Sequence, residues 1–403
     1  MKKFISVFLA LIMVFGVVAI GSPATVEAAD EKVIKIGVFE PVTGENGGGG
    51  FQELLGIRYG HELFPTVEID GEEYQIELIE VDNKSDRTEA ASAVQTLLAQ
   101  NVSVVIGSYG SGVSIAAGEL FNDAQVPAIA PSATNPQVTF DNDFYFRVCF
   151  LDPFQGSVMA QFAKEEGATK AAVITQLGDD YSAGLGNFFL RAFEEGGGEI
   201  VANEQFQTNQ TDFKAILTNI KAVEPDVIFA PSSITTAPLL IKQARELGIE
   251  ATIMAGDTWE NQSIIDNAGA EAEGVCVSTF FDENDTDNPA AKDFVEGFKE
   301  FLNAEEEYLT KNGGDGVAAV SALGYDAYCV AVEAIKAANS TDSVAIRDAL
   351  VDLVYEDGVT GSISFDENGD ANKDMAYIKI VEDGTFKFLK TVTVGGDEAE
   401  ADD

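Results

Sequence analysis

The residues of this chain best suited to chemistry are hydroxyls and glycines gathered in two short turns. Ser108-Tyr109-Gly110-Ser111-Gly112 follows a β-branched run at 102–106, and Pro131-Ser132-Ala133-Thr134-Asn135-Pro136 follows a shorter apolar run at 126–130. The segment between them, 113–121, has helical apolar spacing, so the runs read as consecutive strands of a parallel sheet. Both turns then lie at the carboxyl edge, where such sheets bind ligands. Free backbone N–H groups and hydroxyls there suit a small anion. No basic residue stands near the Gly110-Ser-Gly112 turn, and its third glycine is misplaced for a dinucleotide loop, so a carboxylate fits better than a phosphate.

Other chemistries find less support. The one histidine, His61, lies on a predicted helix away from these turns, so no Ser-His-Asp or Cys-His grouping can be built. The cysteines, Cys149, Cys276 and Cys329, each sit in an apolar run and read as buried free thiols. The acidic run at 282–288 and the Asp366-to-Asp370 turn resemble calcium loops only loosely, without a glutamate at the twelfth position. No metal or cofactor is expected.

Two series of strand–helix units must position the turns. The first starts with a strand at 33–39, a glycine-rich loop at 41–50 and a helix at 51–64. A strand at 74–81 and a helix at 86–100 follow, the latter begun by an Asp86/Glu89 capping box. The rhythm restarts at Thr169 with strands at 170–175, 199–206, 226–230 and 251–255, the last ending in Gly256-Asp257-Thr258-Trp259. Helices are predicted at 289–302, 316–337 and 342–353. A three-stranded antiparallel meander is expected at 362–394, before an acidic tail at 396–403.

A length of 403 residues suggests two domains, and 46% apolar residues argue against disorder. The net charge of −44 disfavours nucleic acid and anionic membrane surfaces as partners. At the N-terminus, Met1-Lys2-Lys3, an apolar stretch at 4–20 and Val26-Glu27-Ala28 read as a signal peptide, 1–28, cleaved after Ala28. A retained anchor is the alternative. No lipobox cysteine is present, so an extracytoplasmic protein with no membrane insertion after cleavage is expected.

The run VIGSYGSGVSIAAGELFNDAQVPAIAPSATNPQVT resembles type I periplasmic substrate-binding proteins, specifically the leucine/isoleucine/valine-binding group of ABC importers. IKIGVFEPVTG, ITQLGDDYSAGLG, IKQARELGI, AGDTWEN and FDENGD fall in the same family order, so the likeness covers residues 33–390. It implies an α/β fold of two Rossmann-like lobes with parallel sheets joined by three hinge crossings, near Phe150, Phe281 and Gly358. The N-lobe would comprise 29–148 and 282–355, the C-lobe 152–278 and 359–395. The function implied is that of a non-catalytic receptor that captures an amino acid, most naturally a branched-chain one, and presents it to a membrane permease. A sensor for a signalling partner, or a receptor for an amide or another small carboxylate, is the alternative.

Carried over residue by residue, the resemblance assigns Ser111 and Thr134 to the ligand's α-carboxylate, with main-chain contacts from Ser132 and Ala133. Asp257 is assigned to the α-ammonium, and Tyr181 to the same ammonium or to covering the ligand. Each has a plainer alternative: a helix cap for Ser111 and Asp257, a turn for Thr134, and a shielded surface for Tyr181. Trp259 either walls the pocket or packs. The chain departs from the family at the glycines of 47–50 and at Ser232-Ser233, where aromatics are usual. This leaves a side-chain pocket formed by those glycines, Tyr109 and Ser233.

Overall fold

A computed structural model describes residues 32–285 and 288–393. The proposed signal peptide and acidic tail lie outside the described residues. The strands are β1 Val33–Glu40, β2 Thr66–Ile69, β3 Glu72–Asp82, β4 Val104–Ile106, β5 Ala128–Ala130, β6 Tyr145–Arg147, β7 Lys170–Leu177, β8 Glu199–Gln207, β9 Val227–Phe229, β10 Thr252–Ala255, β11 Cys276–Thr279, β12 Val354–Tyr355, β13 Ile363–Ser364, β14 Met375–Glu382 and β15 Thr385–Thr393. The helices are α1 Gly47–Leu63, α2 Arg87–Ala99, α3 Ser111–Ala124, α4 Asp152–Glu165, α5 Asp180–Glu195, α6 Lys214–Val223, α7 Ala237–Glu246, α8 Gln262–Ala268, α9 Pro289–Ala304, α10 Glu306–Asn312, α11 Ala319–Ala338 and α12 Ser343–Val351.

Two sheets organise the chain. One has the order β2-β3-β1-β4-β5-β6, the other β15-β14-β11-β10-β9-β7-β8. The central strands β4, β5, β9 and β10 are three or four residues long, almost wholly apolar and almost wholly buried, as parallel strands covered on both faces must be. Their parallel register places Ile106 beside Ile129 and Met254 beside Phe229, so both loops of each pair leave from one edge. The chain passes from the first sheet to the second between β6 and α4, and leaves the second after β11. At these passages Phe150 packs on Phe280, ring centroids 4.3 Å apart. A third passage follows β12, where buried Asp326 accepts from the Val359 and Thr360 backbone N–H groups at 2.8 and 2.9 Å.

Several expectations change. The glycines at 47–50 form the first turn of α1 rather than a loop. Asp86 caps α2 through the Thr88 N–H, but Glu89 pairs with Lys84 at 3.2 Å instead of closing a capping box. The C-terminal meander is not one sheet: β13 pairs with β12, while β14 and β15 extend the second sheet, β14 antiparallel to β11 and β15 antiparallel to β14. The three cysteines are buried and free.

Candidate functional site

The turn after β4 and the turn after β5 are stitched together. Ser111 is the first residue of α3, not its cap, which is Gly110. Its Oγ accepts from the Asn135 N–H at 3.2 Å. Behind them lies Arg147 of β6, wholly buried, a residue that sequence reasoning passed over. Its Nη1 donates to the Ala133 and Asn135 carbonyls at 2.7 and 2.9 Å, its Nη2 to Thr139 Oγ1 at 2.7 Å, and its Nε to Asp370 Oδ1 at 2.5 Å. One guanidinium fork thus shapes the whole 133–139 turn. The sequence signal was an arginine inside the apolar run YFRVCF. The 366–370 turn, compared above with a calcium loop, supplies its counter-charge.

Ser132 donates from Oγ to Glu53 of α1, and the Tyr109 N–H donates to Glu40 Oε2 at 2.7 Å. Burial pushes the Glu53 carboxyl up to about 8 against the Ser132 bond. Burial, then the neighbouring Glu53, raises Glu40 as well. At neutral pH this adjacent pair therefore holds a proton, and the floor of the site is less negative than its formula.

The facing wall comes from the second sheet. β10 ends at Ala255, and Asp257, 4% exposed, starts a single helical turn. The following helix α8 is capped by Asn261, so capping is not the role of Asp257. Gln155 Nε2 and the Tyr181 hydroxyl both donate to Asp257 Oδ1, at 2.9 and 3.0 Å. That leaves Oδ2 for a donor from the cavity. Asp179 caps α5 and so sets Tyr181 in its first turn. A Cβ at Gly256 would lie 2.4 Å from the Tyr181 hydroxyl, so glycine is needed there for the bond to form. Burial raises the Asp257 carboxyl to about 6, with the Gln155 and Tyr181 bonds opposing it.

Between the walls lies a cavity of about 490 Å³. Tyr109, Ser111, Ser132, Tyr181, Ser233 and Asp257 line it. Ala133 and Thr134 stand behind that lining, fully buried. The Ala133 carbonyl is taken by Arg147, and Thr134 Oγ1 has no partner among the described residues. Trp259 is fully buried and donates to the Ser232 carbonyl at 3.1 Å, a packing role. The glycine run does not leave the cleft empty: a Cβ on Gly49 would lie 2.4 Å from Tyr109 Cζ, because the Tyr109 ring occupies that space. Ser233 Oγ bonds Thr236 Oγ1 at 2.9 Å, and its N–H reaches Gln176 Oε1 at 3.4 Å.

The walls touch around this cavity. Arg87 pairs with Asp180 at 2.8 Å, and Asn135 Nδ2 donates to the Asp180 carbonyl at 2.9 Å. Gln176 donates to Glu45 at 3.0 Å, the Ile234 N–H to Asn46 at 3.1 Å, and Asn261 to Gln52 at 3.0 Å. Among the described residues no cluster of His, Cys, Asp and Glu could hold a metal, and no helix is long and apolar enough to cross a membrane.

A cleft between the carboxyl edges of two α/β sheets, with a hydroxyl turn on one side and a carboxylate on the other, is the arrangement of a solute-binding receptor. A model of the periplasmic binding protein family matches residues 33–385, and the chain belongs to that family. Within it the chain falls in the branched-chain amino acid group of type I proteins. It is 27% identical over 361 residues to Leu/Ile/Val-binding protein homolog 3 of Brucella melitensis, covering 89% of this chain and 94% of the relative. The crystal structure of leucine binding protein LivK from Thermotoga maritima superposes with a TM-score of 0.83 at 36% identity, covering 90% of this chain and 99% of that one. LivJ of Streptococcus pneumoniae in complex with isoleucine gives 0.79 at 31% identity, over 90% and 99%. Membership makes this an extracytoplasmic binding protein and not an enzyme.

Proposed function

We propose that the cavity binds an amino acid by its two charged ends and that the closed protein delivers it to an ABC permease. The carrying observation is Asp257: a buried carboxylate with one oxygen held by two donors and the other free for an α-ammonium. Ser111 and the N-terminus of α3, with the Ser132 main chain, would take the α-carboxylate from the opposite wall, and Thr134 would support that turn from behind the lining. A zwitterion removed from water needs such partners at both ends. Charge-assisted bonds contribute about 1.5–3 kcal/mol each. Micromolar binding requires about 8 kcal/mol net, so four or five contacts suffice.

The ligand's side chain would lie between the Tyr109 and Tyr181 rings, toward Ser233. The names of the relatives support a branched-chain side chain. The polar far wall of Glu45, Asn46 and Gln176 supports a second reading, a more polar amino acid. On this view 29–148 with 282–355 and 152–278 with 359–395 are lobes that swing about the three passages and close on the ligand. Calorimetry against the twenty amino acids, with acetamide and benzoate alongside, tests it. Binding of leucine, isoleucine or valine supports the first reading. Binding of acetamide with no amino acid bound would remove the ammonium role of Asp257.

A further inference from the structure

We propose that Gln155 is the positioning residue of the ammonium site: its amide aims the Asp257 carboxylate into the cavity and ties it to two of the segments that join the sheets. The inference rests on reading Asp257 as the ammonium partner. Gln155 is wholly buried in the first turn of α4, directly after the chain crosses from β6. Its Nε2 donates twice, to Asp257 Oδ1 at 2.9 Å and to Ser278 Oγ at 3.0 Å. Ser278 lies on β11, which leads into the next crossing. One amide nitrogen therefore connects the ligand-facing carboxylate to the chain on both sides of the Phe150–Phe280 contact. The same amide leaves its Oε1 without a partner among the described residues. The side chain is thus placed by what Nε2 holds and not by its own complete satisfaction.

An amide is suited to this place because it donates without carrying charge. The groups around Asp257 are mostly acids and phenols: Glu53 of α1, Tyr109, Asp152 of α4, Tyr181 of α5, Glu260 on the following turn, and the Cys149 thiol. With no basic residue paired to it among the described residues, Asp257 keeps its charge through the two bonds to Oδ1. The Tyr181 bond comes from α5 alone; the Gln155 bond also fixes the carboxylate relative to the crossings.

The test is calorimetry of L-leucine binding from pH 5 to 8 with wild type, Asp257→Asn, Gln155→Leu and Ser278→Ala. Wild-type affinity rises with pH, with a midpoint near the carboxyl's value of about 6. Gln155→Leu moves the midpoint up by about one pH unit, so that affinity at pH 6 falls about fivefold more than affinity at pH 8. Ser278→Ala frees the amide without removing it and moves the midpoint the same way by less. It carries the test should Gln155→Leu fail to fold. An equal loss at every pH with an unmoved midpoint in Gln155→Leu, or in Ser278→Ala when that is the variant that folds, overturns the positioning role while leaving Asp257 as ammonium partner. Binding that ignores Asp257→Asn, or a wild type that binds none of the twenty amino acids, overturns both; should wild type bind another amino acid in place of leucine, that amino acid is the probe for the same series.

Discussion

Replacing Asp257 by asparagine should weaken binding and stabilise the empty protein together. The introduced amide keeps an acceptor for Gln155 and Tyr181 at its oxygen and turns its NH2 group toward the cavity. The α-ammonium then faces a donor instead of a carboxylate. Loss of one charge-assisted bond, about 1.5–3 kcal/mol, predicts an affinity lower by about ten- to a hundredfold. Stability moves the other way. Burial raises the carboxyl from 3.8 to about 6, so the folded protein holds that proton more tightly than the unfolded chain does. Stability therefore falls as pH rises through that interval, and above it the ionised group costs about 3 kcal/mol, on the order of two units at 1.4 kcal/mol each. Thermal melts of the ligand-free proteins at pH 5 and pH 8 read this directly. The variant melts higher at pH 8, and the difference shrinks at pH 5. A variant melting lower at both, or binding leucine as tightly as wild type, would refute the assignment of Asp257 as a desolvated ligand carboxylate.

Gly49→Val forces the Tyr109 ring out of its slot and into the cavity, so calorimetry should find leucine binding reduced more than tenfold, with partial recovery in Gly49→Val/Tyr109→Ala. Arg147→Met leaves Asp370 and three acceptors of the 133–139 turn without their donor; chemical denaturation should register a loss of about 3–5 kcal/mol. Arg87→Ala removes the ion pair to Asp180 across the cleft. With the arginine half exposed, stopped-flow release of leucine should quicken by no more than about fivefold, and less at high salt.

Much of the site's first wall was legible along the chain. The two turns follow short apolar strands and carry hydroxyls, and a resemblance ordered over most of the length singled out Ser111, Tyr181 and Asp257, which line the cavity, and Thr134, which stands behind the lining. The helix start at Asp86 is likewise a local event, set by a side chain and an N–H two residues away. The errors were also local readings. Four consecutive glycines look like a loop, and a glutamate three residues after Asp86 looks like a capping box. Neither shows that Tyr109 fills the space beside Gly49, or that Lys84 claims Glu89.

What the sequence by itself determined, then, is the alternation of strand and helix, the family, and the hydroxyl and carboxylate types that face each other across the cavity. The tertiary structure alone decided how those groups are charged and aimed. Gln155 and Tyr181 reach Asp257 from 102 and 76 residues away, and Asp370 reaches Arg147 across 223. Backbone preference is set by neighbours within a few residues. Desolvation, and the hydrogen bonds that offset it, come from whatever the packed chain brings alongside, and those partners have no signature in the local pattern.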